Sequence, residues 1–127
     1  PEEAGFCSDL AVNSQGTVFL VDSTEVKVYA AAADAGQFSL LSKGTKEYAN
    51  FPTNIALDKS GIIYLVDKHG GNIVILNPDG TFLGHKFGYG WKESQFYYPA
   101  QICISPAGNF FIADRGNSRV QAFISEE

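Results

Sequence analysis

Methionine is absent from this chain, tryptophan occurs once, cysteine and histidine twice each, and nine basic residues face fourteen acidic ones. A chain that opens on Pro1 without methionine is expected to be a processed or excised product. Cys7 and Cys103 form no C-x-x-C motif and have no nearby histidine at zinc-ligand spacing, so no thiol metal site is expected. Free cysteine is among the most buried residue types, and both are expected to be buried, unpaired thiols. The net charge of −5 and isoelectric point near 4.9 oppose attraction to phosphate backbones. No nucleic-acid partner is expected, and binding to mixed RNA should be weaker than about 10⁻⁴ M. No apolar run approaches the roughly eighteen residues that span a bilayer, so membrane insertion is not expected either. The sequence contains no G-x-S-x-G, no Gly-rich phosphate loop and no paired-glutamate constellation, leaving acyl transfer and phosphate chemistry without support.

Ten Phe, six Tyr and thirteen Gly are present, a balance that favours strands and turns over helices. The clearest stretch is GNFFIADRGNSRVQAF, residues 108–123: an apolar strand closed by Asp114, a polar turn, and a second strand opened by Arg119. Asp22, Asp67 and Asp114 recur at a period of roughly 46 residues, and Gly16, Gly61 and Gly108 keep the same two spacings. Each unit opens with a strand entered through an aromatic, Phe6, Phe51 or Tyr98, and continues through the Gly turn into VFLVD, IYLVD or FFIAD. These second strands are apolar almost throughout, as expected where both sheet faces are covered. Third strands begin near Val26, Ile73 and Arg119, and fourth strands lie in QFSLLSKG and TFLGHKFG. The expectation is an all-β chain forming one partial β-propeller domain over 1–127, with about three four-stranded antiparallel blades at approximately 6–50, 51–97 and 98–127. The last blade stops before a fourth strand, leaving the strand from Ser118 with an unpaired edge.

FGYGWKESQFYYPAQICISPAGNFFIADRGNSRVQAF, residues 87–123, resembles the NHL repeat family of β-propellers. The match weakens upstream, where Asn72 and Lys27 stand in place of the Arg and Cys7 in place of a Pro. The resemblance implies that Asp114 and Arg119 form a structural pair, complete only in the third blade. It also implies rings of about six blades, of which this chain supplies half, completed by a sister chain, another protein partner or further blades of a longer chain. The implied role is a non-catalytic interaction scaffold. The alternative is a fragment of a propeller enzyme or metal-dependent binder whose active residues lie on other blades.

Antiparallel order places the turn after each second strand and the loop into each first strand on one rim. That rim should carry Ser23 and Thr24; Lys68, His69 and Gly70; Arg115 and Asn117; and the loop from Tyr89 through Trp91 to Tyr97 and Tyr98. Trp, Tyr and Arg are the types that dominate binding energy, which makes Trp91, Tyr97, Arg115, Asn117, Lys68 and His69 the candidate contacts. His69 is the best single titratable group, but His85 falls on an outer strand and the two should not converge on a metal. Asp22, Asp67 and Asp114 could line an arc that holds a cation, but capping of their own turns and pairing with following basic side chains is the expected role. No catalytic residue, metal or cofactor is expected. The compartment leans extracytoplasmic, because modules of this kind are often exported and trimmed.

Overall fold

The computed structural model describes residues 5–42 and 45–124. Lys43 and Gly44 of the expected fourth strand, and the side chain of Tyr89, lie outside what is described. Three antiparallel sheets stand side by side as a partial propeller. The first is β1 (Cys7–Val12), β2 (Val18–Asp22), β3 (Lys27–Ala31) and β4 (Ser39–Ser42); the second is β5 (Pro52–Leu57), β6 (Ile63–Asp67), β7 (Asn72–Leu76) and β8 (Phe82–Lys86). A short parallel pair, β9 (Gly88–Tyr89) and β10 (Gln95–Phe96), precedes the third sheet of β11 (Gln101–Ile104), β12 (Phe110–Asp114) and β13 (Arg119–Phe123). Strands follow one another in simple order within each sheet, and among the described residues β13 pairs only with β12. The first strands line up along the inside of the arc, β1 beside β5 and β5 beside β11.

The hairpin turn between first and second strands is built alike in each blade. Asn13 Oδ1 accepts from the amides of Gln15 and Thr17, Asp58 Oδ1 from those of Ser60 and Ile62, and Ser105 Oγ from that of Asn109. Gly16, Gly61 and Gly108 follow at φ of 83°, 86° and 87°, a region that side chains with a Cβ rarely enter. The side chain supplies the turn and the glycine supplies the reversal.

Alternation along β6 explains why its sequence is apolar without interruption. Ile63 and Leu65 face the first blade, with Val21, Val28, Val74 and Leu76, whereas Tyr64 and Val66 face the third, with Ile73, Phe96, Ile102 and Ile112. Every residue of β6 is buried, but β2 and β12 are only partly so, because each lies in an end blade with a neighbour on one side. The same geometry corrects the expectation for the cysteines. Cys7 and Cys103 are both free and both exposed, since Cys7 opens the first blade and Cys103 sits on the uncovered face of the last.

Candidate functional site

The rim is built from the three aspartates outward. Each ends the second strand of its blade, is buried, and turns its carboxylate onto the chain that leads into its own blade. Asp22 accepts from the amides of Gly5 (2.5 Å) and Phe6 (3.0 Å), Asp67 from those of Asn50 and Phe51 (both 2.9 Å), and Asp114 from that of Tyr97 (2.7 Å). These oxygens fix the rim loops. Asp22 also caps its own turn through the amides of Thr24 and Glu25. Pairing with following basic side chains was expected of all three, but among the described residues only Asp114 has such a partner, Arg119 Nε at 3.0 Å. Lys27 makes no such bond, and Asn72 has no charge to offer Asp67. Ser23 is likewise no surface group: it is buried and donates to the carbonyl of Pro52 at 2.6 Å.

Burial alone would raise the pKa of Asp22, but the amides of Glu25, Phe6 and Gly5 and the Thr24 hydroxyl outweigh it and hold the carboxyl below its ordinary value. A depressed carboxylate stabilises the fold above the unfolded pKa of about 3.9 and loses that contribution as pH falls through the folded value. Urea midpoints taken from pH 6 down to 3 should therefore fall more steeply for the wild type than for Asp22→Asn; parallel curves would refute the linkage.

The loop between β9 and β10 is fastened to β13 from behind. Arg119 donates Nη2 to the carbonyls of Lys92 (2.9 Å) and Gln95 (2.8 Å), and Gln121 donates to that of Gln95 and accepts from the amide of Ser94. Asn117 Nδ2 holds the Gly90 carbonyl at 2.9 Å and Asp114 Oδ2 at 2.7 Å, and Phe96 is buried in the core of the second junction. Trp91, carried by this fastened loop, is 73% exposed. A hollow of about 540 Å³ lies beside it, lined by Gly90, Trp91, Lys92, Gln95, Tyr97, Gly116 and Asn117. Asn117 is thus a brace of the site through its amide, while Trp91 and Tyr97 offer surface. Arg115 is exposed in a single 3₁₀ turn, Arg115–Asn117, and Lys92, Arg115 and half-buried Lys68 have no ion-pair partner among the described residues.

His69 occupies the rim between two blades. Its ring stacks on Phe51 at 4.9 Å and meets Tyr98 edge-on at 6.2 Å, an aromatic setting that bridges the junction. His85 is on β8, bonded to the carbonyl of Tyr48, and no group of three or more His, Cys, Asp or Glu among the described residues could hold a metal ion. A larger hollow of about 690 Å³ opens at the opposite rim, between the turns around Asn13, Asp58 and Ser105. Asn13, Asp58 and Ser105 spend their side chains on the amides of their own turns, and Tyr64, pushed up to about 12 by burial and by its bond to Asp58, stays a protonated donor. The aromatic rim is the better candidate. Sequence reasoning missed Gln121 and the second role of Arg119, whose pattern R-V-Q places both side chains on one face of β13.

Arg119→Ala should cost about 1–3 kcal/mol, since it leaves the buried Asp114 carboxylate short of a partner and frees the carbonyls of the loop. Arg119→Lys should fall between, because one ammonium cannot serve the carboxylate and both carbonyls in the spread the guanidinium covers. Thermal melts indistinguishable from wild type would show the contacts to be idle.

The NHL repeat model matches residues 96–123, from the buried Phe96 through the Asp114–Arg119 pair to Phe123. Residues 96–123 match one such repeat. Over 75 residues the chain is 32% identical to NHL repeat-containing protein 3 of Homo sapiens and of Mus musculus, an alignment covering 57% of this chain and 22% of each relative. The chain therefore spans less than a quarter of the length of the curated relatives it matches. Among solved structures it resembles a chain in a nidogen/laminin complex at a TM-score of 0.71 and 19% identity, over 91% of this chain and 47% of that one. It also resembles a virginiamycin B lyase from Staphylococcus aureus at a TM-score of 0.65 and 12% identity, over 96% and 42%. At these identities the likeness is one of fold.

Proposed function

We propose that this NHL segment is a non-catalytic binding module that takes an extended protein segment across Trp91 and Tyr97. The observation that carries the reading is the exposure of a large aromatic on a loop held by bonds from Arg119, Gln121 and Asn117. A surface of that kind loses little conformational freedom on binding, and rigid aromatic anchors supply most of the affinity at protein interfaces. Lys92 and Arg115 flank it and suit a partner that places a carboxylate beside an apolar side chain. The rim's one imidazole, His69, has aromatic rings for neighbours instead of an acid or base with which to share a proton, which favours contact over chemistry.

Trp91 is the sole tryptophan, so its fluorescence reports on the site directly. Peptides selected from a random phage-displayed library should shift its emission to the blue on titration, and Trp91→Ala, which lacks the reporter and is compared with wild type by calorimetry, should bind them about 2 kcal/mol more weakly, roughly thirtyfold. Failure to select any peptide, or selected peptides that bind Trp91→Ala as well as wild type, would refute the reading.

A further inference from the structure

The carboxamide of Asn117 has spent one half of its bonding capacity and kept the other. Its Nδ2 carries two hydrogens, and both are committed, one to the Gly90 carbonyl at 2.9 Å and one to Asp114 Oδ2 at 2.7 Å. The group cannot turn over, because reversal would set Oδ1 against the Asp114 carboxylate, an acceptor against an acceptor. Oδ1 is therefore held in one orientation, and among the described residues nothing donates to it. Nor is it sealed in the interior: the buried side-chain atoms without a partner among the described residues are Thr53 Oγ1 and Asn72 Oδ1. Asn117 lines the hollow beside Trp91, together with Gly90, Tyr97 and Gly116.

The backbone around this acceptor is held in shapes that side chains rarely adopt. Among the described residues five that are not glycine have positive φ, and four of them frame this site. Phe87 (68°) and Tyr98 (52°) bound the loop, Ser94 (63°) lies within it, and Ser118 (52°) directly follows Asn117. Such conformations persist where surrounding bonds over-determine them, and they gather at ligand clamps. Here those bonds come from Arg119, Gln121 and Asn117 itself.

An extended protein segment makes no hydrogen bonds within itself, and an amide pressed against the rings of Trp91 and Tyr97 gives up its water. We infer that Asn117 Oδ1 accepts a backbone N–H of the bound segment, so that the site reads main chain as well as side chain. A backbone N–H is the donor that every residue except proline brings to such a position. A cationic side chain is the poorer donor there, because Lys92 and Arg115 flank the site without ion-pair partners among the described residues. This role rests on the reading of the rim as a peptide site, and it adds that one position of the peptide excludes proline.

The test takes a peptide selected on the wild-type chain and replaces its backbone amides with esters one at a time, which removes the N–H and keeps the shape. One ester should weaken binding about tenfold, and proline at the same residue should weaken it at least as much. In isotope-labelled wild-type protein at saturation, the side-chain amide resonances of Asn117 should shift with the parent peptide and stay near their free positions with that ester. The carboxamide is observed in place because its removal would also free the Gly90 carbonyl. A peptide that shifts the Trp91 emission yet loses less than about twofold at every ester would overturn the inference and leave the peptide site standing. So would a sensitive ester that shifts the Asn117 resonances as the parent does. Selection of no peptide would overturn both.

Discussion

Replacing Asp114 with alanine should destabilise the chain by about 3–5 kcal/mol, the cost of removing one partner from a buried ion pair. Its carboxylate is fully buried and collects the Tyr97 amide, the Asn117 amide group and the Arg119 guanidinium. Without it those donors lose their acceptor together, and the half-buried cation of Arg119 faces a space with no counter-charge. Asp114→Asn should lie between, keeping one carbonyl acceptor but adding two protons where only acceptors fit. Because Asp114 and Arg119 act as a unit, the double variant should cost less than the two single losses summed. The loop should also loosen, which hydrogen exchange at Trp91 to Gln95 would register. An Asp114→Ala chain within about 0.5 kcal/mol of wild type in urea, the range of ordinary surface substitutions, would sink this account.

Much of the architecture was legible because its signals are local. A turn glycine at positive φ and an apolar run closed by aspartate act over a few residues, and their recurrence names the blades. Antiparallel order then puts the turns at His69 and Arg115 on the same rim as the loop bearing Trp91. What escaped depends on groups far apart in the chain. Asp22 and Asp67 reach amides 16 and 17 residues upstream, so a reading confined to their own turns assigns them basic partners they do not have. The cysteines fail for a related reason, since burial of a strand residue in a propeller is decided by whether another blade stands against it. Cys103 and Ala56 hold equivalent places and differ only in that neighbour. The short β9–β10 pairing and the braces from Gln121 and Asn117 left no periodic trace, because each occurs once.

Asn54 is where the three blades are tied together, and Asn54→Ala should cost about 2–4 kcal/mol, as expected when buried polar groups lose their partners. Its amide group donates to Asp9 of the first blade while its carbonyl accepts from Ile102 of the third. Alanine leaves the Ile102 amide without an acceptor in a setting too dry for water to replace it easily. The loss should show as weakened coupling as well as lowered stability: amides of β11 to β13 should exchange faster in the variant than in wild type. Asn54→Asp separates the two roles. Aspartate can still accept from Ile102, as Asp9 does from Ile55, but at neutral pH it sets a second carboxylate against Asp9. Like charges at that distance raise the pKa of one member, so the variant should be least stable when both are ionised and should regain stability as pH falls through the raised value. Asn54→Ala has no such group and should show no recovery. Urea unfolding of both variants between pH 7 and 4 decides it: equal pH dependence would mean that the Asp9 contact is incidental, and wild-type exchange in the third blade of Asn54→Ala would mean that apolar packing alone couples the blades.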